Sequence, residues 1–199
     1  LHTKEVLESP EHIAHSALKG MKRYGLNHAL VPMDLTLEQE LVAHRRGHSL
    51  RRFQTDGRGP ASVEPSNHPV HKVGDKLPEL GGSLKGTPVE PFIKAQEHMK
   101  LTDPEALRFG YIAGPITGAS SLGDSERVMM SLMGPDIVGK EEYKVFEHWR
   151  DYAERLGKRH GRILAKNGAG VMILDPMASG MFSKKDFKGR ALRPSPFYL

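Results

Sequence analysis

The N-terminal part of the chain carries hydrophobic residues at helical spacing. Apolar positions recur every three or four residues from Ile13 to Met21. Ser9 and Pro10 directly before them are typical of a helix start, because serine caps free backbone N–H groups and proline suits the first helical turn. Gly25 stands where a left-handed residue often ends a helix. The pattern predicts a helix that ends near Gly25.

A predicted strand and a second helix follow. The short apolar run at 29–33 predicts a buried strand, and Asp34 comes directly after its end. Thr36, with Gln39 three residues later, forms a capping-box pattern that opens a helix, and Gly47 is expected to close it. This alternation of helix and strand with tight connections indicates an α/β fold.

The same alternation returns in the second half of the chain. We predict a helix at 91–99, a strand at 108–113, a long helix at 139–167 and a strand at 171–174. The long helix has an apolar stripe at a spacing of 3.6 residues, and we interpret its aromatic residues as core. Strands separated by helices favour a parallel sheet.

Three further segments are less regular. Residues 51–55 are a candidate strand, and residues 183–188 a candidate helix. Between about 56 and 91 the chain is rich in Gly, Pro and Ser, which is typical of a surface excursion or a lid. With no linker dividing the chain into halves, we expect residues 1–199 to form a single α/β domain.

Composition narrows the class of protein. The chain has 199 residues, of which 38% are hydrophobic and 27% charged, enough to form a globular core. No run approaches the roughly 20 apolar residues that span a bilayer. The N-terminus is charged and lacks the apolar stretch of a signal peptide. We therefore expect a soluble, cytoplasmic protein that does not act at a membrane.

Charge and the absence of cysteine limit the chemistry. The net charge of +5 favours an anionic partner. The basic residues are scattered among acidic ones, and we interpret the one dense group, Arg45, Arg46, Arg51 and Arg52, as a solvated face. We thus expect a small anionic substrate and no nucleic acid. Without cysteine the chain has no thiolate nucleophile. His44 and His48 are four residues apart, but Gly47 is expected to end their helix and no third ligand matches, so we expect no metal site.

Polar or Gly-Pro residues follow three of the predicted strands. They are Asp34, Gly114-Pro115 and Asp175-Pro176. In α/β proteins ligands bind at the carboxyl ends of parallel strands, so we expect these positions to line one site. Asp34 is the candidate catalytic residue, as a general acid or base or as the partner of a cationic intermediate. For both aspartates, capping a helix or forming a turn is an equally good interpretation. The candidate substrate-binding residues are Gly114, Pro115, Thr117, Ser121 and Asp175.

Three segments in this order resemble the uroporphyrinogen decarboxylase superfamily. Residues 110–122 are similar to its strand–turn–helix, and residues 167–179 to its next strand and loop. Residues 24–40 are similar to an earlier strand and an acidic helix start. The resemblance spans about 13–187. The run Asp-Pro-Met-Ala-Ser at 175–179 is closer to the methylcobamide:coenzyme M methyltransferase-like branch.

The resemblance implies a (β/α)8 TIM barrel with its site at the carboxyl ends of the strands. It also implies one of two reactions: decarboxylation of a tetrapyrrole, or zinc-dependent methyl transfer from a methylated corrinoid protein to a thiol. Ser121 stands where the decarboxylases have a tyrosine, which favours methyl transfer. Asp34 corresponds to the acidic residue that contacts the pyrrole nitrogens in decarboxylases.

This chain also departs from the family pattern. The zinc ligands of the methyltransferases, a histidine and two cysteines, lie in the later half of the barrel, and this chain has no cysteine. We count about four predicted strands where such a barrel needs eight, so we expect about half the barrel. Zinc and a corrinoid would then belong to a full-length methyltransferase and not to residues of this chain. The exposed strand edges of a half-barrel would need covering, for example by a second copy in a homo-oligomer.

Three functional hypotheses follow. The leading one is corrinoid-dependent methyl transfer to a thiol, with the residues of this chain forming pocket walls. The second is decarboxylation in porphyrin biosynthesis, with Asp34 stabilising a protonated pyrrole. The third is a non-catalytic, truncated barrel that acts as a binding or assembly subunit.

Overall fold

The computed structural model describes residues 7–31, 37–45, 77–79, 81–123 and 125–176. The predicted strand at 51–55, the predicted helix at 183–188 and most of the excursion at 56–91 lie outside these ranges. The described part of the excursion, 77–79 and 81–89, contains neither helix nor strand.

The first helix follows its sequence signals. Helix α1, Pro10–Arg23, begins after Ser9, whose Oγ accepts a hydrogen bond from the backbone N–H of His12 at 3.3 Å. Its apolar face is buried. Gly25, with φ +63°, has the left-handed conformation expected after the helix end.

The predicted strand–helix pair is present as strand β1, His28–Leu30, and helix α2, Leu37–Arg45. Of the predicted run at 29–33, residues 29 and 30 lie in the strand and Val31 is buried outside the ladder. Residues 32 and 33 lie outside the described ranges.

Seven further elements follow along the described residues, and those at predicted helices and strands agree closely with the predicted bounds. They are α3 (Glu90–Thr102), β2 (Leu107–Ala113), α4 (Pro115–Leu122), α5 (Ser125–Ser131), α6 (Pro135–Val138), α7 (Lys140–Lys166) and β3 (Gly170–Leu174). Helices α5 and α6 were not predicted. At seven and four residues they are too short to establish a helical repeat of apolar positions.

The sheet is parallel, as predicted. Its described strands lie in the order β1-β2-β3, with Leu30 opposite Phe109 and Ala113 opposite Leu174. The connection from β2 to β3 runs through α4 to α7, a crossover of the βα type. A mixed α/β fold with three parallel strands is consistent with part of a TIM-barrel-like domain.

Helix α7 packs along both the sheet and α4. Its Phe146, Trp149 and Tyr152 are each no more than 4% exposed, which confirms that these aromatics belong to the core. Helix α4 lies close against α7 at Gly118, where an added Cβ would lie 2.8 Å from the Cβ of Ala153. Within the described residues, no helix is both long and apolar enough to cross a membrane.

We predict that Gly118→Ala lowers the free energy of unfolding by about 1–3 kcal/mol, because the new methyl group forces α4 away from α7. Chemical denaturation followed by circular dichroism measures this change. Gly20→Ala in α1 is the matched control, since nothing lies within 4 Å of its added Cβ. The control should raise stability by up to about 1 kcal/mol, the difference in helix propensity. Equal effects of the two substitutions would contradict the proposed close packing.

Candidate functional site

The carboxyl ends of β2 and β3 lie side by side. Because Ala113 pairs with Leu174, Gly114 and Asp175 leave the sheet at the same level. The backbone N–H of Gly114 donates a 2.7 Å hydrogen bond to the carbonyl of Leu174, which continues the pairing one residue past the strand. Two of the predicted site segments therefore meet at one edge of the sheet.

The carboxylate of Asp175 lies across the N-terminus of α4. Its Oδ2 accepts a hydrogen bond from the backbone N–H of Ile116 at 3.1 Å. Its Oδ1 accepts two more from Thr117, one from the backbone N–H at 2.8 Å and one from the hydroxyl at 2.7 Å. Gly114 at the N-cap position has no side chain to bond these groups. Asp175 thus caps a helix that belongs to the preceding βα unit.

Because Gly114 has no side chain, the Asp175 carboxylate has room beside the N-terminus of α4. A Cβ at this position would overlap the Cβ and carboxylate of Asp175. The backbone of Gly114 is in an ordinary extended conformation, with φ −69°, so the requirement is for space and not for an unusual dihedral angle. Any larger residue would move the Asp175 carboxylate off the helix end.

The other predicted site residues have varied positions. Pro115 occupies the first turn of α4, and Thr117 is buried there at 6% exposed. The hydroxyl of Ser121 donates to the carbonyl of Thr117 at 3.0 Å, within its own helix. Asp34 lies outside the described residues. The structure therefore brings Gly114, Pro115, Thr117 and Asp175 together, while their part in binding a substrate stays a prediction.

The sequence left two roles open for Asp175, capping a helix or turn and lining a ligand site. Both carboxylate oxygens are engaged by groups of α4, which is the capping role. Such a carboxylate gives the edge a fixed shape. The backbone N–H groups of Ile116 and Thr117 already donate to Asp175, so they are not available to a ligand at this edge.

A second polar feature lies between α2 and α7 and was not predicted. His160 Nδ1 lies 3.1 Å from Glu38 Oε1, with the two side chains 6% and 7% exposed. Within the described residues, His160 Nε2 and Glu38 Oε2 are buried without a hydrogen-bond partner. His160 also lines a cavity with Tyr111, whose pKa burial raises above the usual value.

The sequence does contain a signal for this pair. His160 lies four residues after Leu156 and four before Leu164, on the stripe that helical spacing assigns to the core. A titratable residue on such a stripe needs a buried partner. The sequence does not identify that partner, since Glu38 lies 122 residues away.

Comparison with known proteins identifies a similar fold. Neither a protein-family model nor a curated protein sequence matches the chain. Among solved structures, a methyltransferase from Methanosarcina mazei is similar, with a TM-score of 0.70 and 23% sequence identity. The similarity covers 93% of this chain and 51% of that one, so the chain spans about half the length of its structural neighbour. At this level of identity the similarity shows a shared fold.

We predict that Asp175→Asn lowers the free energy of unfolding by about 1–2 kcal/mol, because the amide group cannot accept the bonds from both Ile116 and Thr117. Thr117→Val, which removes one hydroxyl donor, should cost about 0.5–1.5 kcal/mol. Urea denaturation of the three proteins measures both effects.

Asp136→Asn, at an exposed position in α6, is the matched control for this series. It should change stability by no more than about 0.5 kcal/mol. An Asp175→Asn variant as stable as the wild type would show that the cap contributes nothing to the fold.

Proposed function

We propose that this chain contributes to a methyltransferase of the (β/α)8-barrel type, and that the edge around Gly114, Thr117 and Asp175 forms a wall of its substrate pocket. The observation that carries the proposal is the superposition of 93% of the chain on the Methanosarcina mazei methyltransferase. Since that match covers 51% of the neighbour, the proposed activity is that of a whole barrel to which this fold contributes a part.

The position of the wall supports this assignment. In parallel α/β folds, the pocket lies at the carboxyl ends of the strands, where Gly114 and Asp175 emerge together. The cap formed by Asp175 holds the first turn of α4 in one position against the sheet. A substrate at this edge would therefore meet a preorganised surface, which is what orienting two reactants requires.

The reaction that we propose transfers a methyl group from a methylated corrinoid to a small thiol. The thiolate sulfur attacks the methyl carbon, and a carbon–sulfur bond forms as the carbon–cobalt bond breaks. The bonding electron pair stays on cobalt, which is reduced from Co(III) to Co(I), and the thiol proton is released. The residues of this chain would position the reactants for this step.

The residues that the structure describes form no zinc site. The full sequence contains no cysteine. In the described ranges, no three His, Asp or Glu residues form a group that could hold a metal ion. We therefore assign no step of the reaction to a metal bound by this chain.

A second candidate function is a binding subunit without chemistry of its own. It is favoured by the state of the polar groups at the strand ends. The carboxylate of Asp175 and the hydroxyls of Ser120, Ser121 and Thr117 all bond to other groups of the protein. Such groups shape a surface better than they exchange protons with a ligand.

Methyl transfer is tested with methylcobalamin and 2-mercaptoethanesulfonate. We expect the absorbance of methylcobalamin to fall over time in the presence of the protein, with one thioether formed for each methyl group lost. Heat-denatured protein is the control for the uncatalysed reaction. We also expect Thr117→Val to lower kcat by roughly 10- to 100-fold, because a shift of the pocket wall would hold the reactants in a less productive orientation.

The competing functions give different outcomes in the same experiment. Decarboxylation of a porphyrinogen without methyl transfer would replace our proposal with the decarboxylase function. Saturable binding of methylcobalamin without turnover would favour the binding subunit. If Ser16→Ala, an exposed substitution in α1, slowed methyl transfer as much as Thr117→Val, the strand-end wall would have no special role.

A further inference from the structure

A wide groove lies between helices α1 and α3 and is open to solvent. Its volume is about 1060 Å³, and its lining comes from one side of α1 together with His98 and Thr102 of α3. The two helices bury their apolar faces in the same core, which fixes the walls of the groove. Pockets for drug-sized molecules have volumes of roughly 300–1,000 Å³, so this groove has room for an extended ligand.

Three cationic side chains of α1 line the groove. Lys19, Lys22 and Arg23 are all exposed, so their charged ends reach the open space. Lys22 Nζ lies 3.9 Å from Asp103 Oδ2, and the lysine side chain is 69% exposed, so this contact is a weak ion pair. The Arg23 guanidinium lies 5.7 Å from the ring centroid of Tyr24. These positive charges are thus available to a ligand.

The groove has little negative charge to oppose them. Glu11 is the acidic residue among its described lining residues. Its Oε2 accepts a hydrogen bond from Ser9 Oγ at 2.9 Å, and its Oε1 lies 3.2 Å from His98 Nε2. His12 and His15 add imidazole rings to the lining, and such rings supply N–H donors to an acceptor. The lining as a whole therefore favours an anionic ligand.

The floor of the groove is apolar. Ala14 and Leu18 are 3% and 5% exposed, and both belong to the lining. The aliphatic parts of lysine side chains commonly add to such a surface while their charged ends stay in water. A ligand that suits this groove has apolar groups on one side and negative charge on the other.

We propose that the α1–α3 groove binds an acidic, amphipathic peptide segment of a partner protein. The apolar side of the segment packs on Ala14 and Leu18, and its carboxylates contact Lys19, Lys22 and Arg23. Grooves between helices bind amphipathic segments in this way, and complementary charge steers the two partners together. The net charge of +5 adds to the attraction.

Two observations favour a peptide over a nucleic acid. The carboxylate of Glu11 lies within the groove, where it would repel a continuous phosphate backbone. The described lining contains no phenylalanine, tyrosine or tryptophan on which bases could stack. A peptide can place a neutral or basic residue opposite Glu11.

This groove is separate from the strand-end wall. Its lining includes none of Gly114, Thr117 or Asp175. The peptide would therefore bind whether or not the chain takes part in methyl transfer.

The proposal is tested with a fluorescein-labelled peptide of glutamate and leucine at helical spacing, whose fluorescence anisotropy is followed as the full chain is added. We expect saturable binding by the wild type. The double variant Lys19→Gln, Arg23→Gln should bind roughly tenfold more weakly, because it removes two of the three cationic groups.

Arg162→Gln combined with Lys166→Gln is the matched control. These residues are an exposed arginine and an exposed lysine four positions apart on α7, and their loss lowers the net charge by the same amount. The control should bind the peptide within about twofold of the wild type, because solvent and salt screen charges outside the groove. Equal weakening by the two double variants would show a general effect of net charge and overturn the proposal.

Two measurements on the wild type keep the test decisive if a variant does not fold. A peptide with lysine in place of glutamate should not bind, and equal binding of the two peptides would overturn the proposed charge complementarity. An RNA oligonucleotide of the same charge should bind more weakly than the acidic peptide. Tighter binding of the RNA would replace the proposal with a nucleic-acid site.

Discussion

The parallel pairing of β2 with β3 is the constraint on which the candidate site depends. Because Ala113 lies opposite Leu174, the residues that follow them, Gly114 and Asp175, emerge at the same edge. Only this register allows the Asp175 carboxylate to reach the free N–H groups of α4. Shifting a strand by one residue would turn its side chains to the other face and separate the carboxylate from the helix.

Helix α7 joins this edge to the rest of the fold. One stripe of the helix buries aromatic residues and contacts α4 at Gly118. Polar residues of this helix also make contacts within the protein. His160 contacts Glu38, and Arg159 donates to the backbone carbonyl of Gly81. The same helix therefore holds the strand-end wall in place and contacts α2.

The functional proposal follows from fold and position together. The similarity to a methyltransferase extends over most of this chain and about half of its neighbour, and it shows a shared fold. At the strand ends, the described polar groups are bonded within the protein, and a pocket wall is the role that such groups suit. The chain has no cysteine, so the proposed role here is orientation and not metal-thiolate chemistry.

The sequence by itself determined the local structure and the order of elements. Apolar spacing predicted α1, β2, α7 and β3 to within a residue or two, since burying one face of a helix or strand imposes its period on the chain. The Gly-Pro and Asp-Pro signatures marked two strand ends correctly, and general knowledge of parallel sheets placed them at one edge.

Only the tertiary structure decided which polar groups meet. Sequence reasoning left Asp175 open between cap and ligand contact. The register of β2 and β3 brings Asp175 to Thr117, which lies 58 residues earlier in the chain. Glu38 and His160, and likewise Glu11 and His98, are far apart along the chain and belong to different helices. Contacts of this kind follow from how whole elements pack, and local patterns of apolar and polar residues carry no information about the partner across the core.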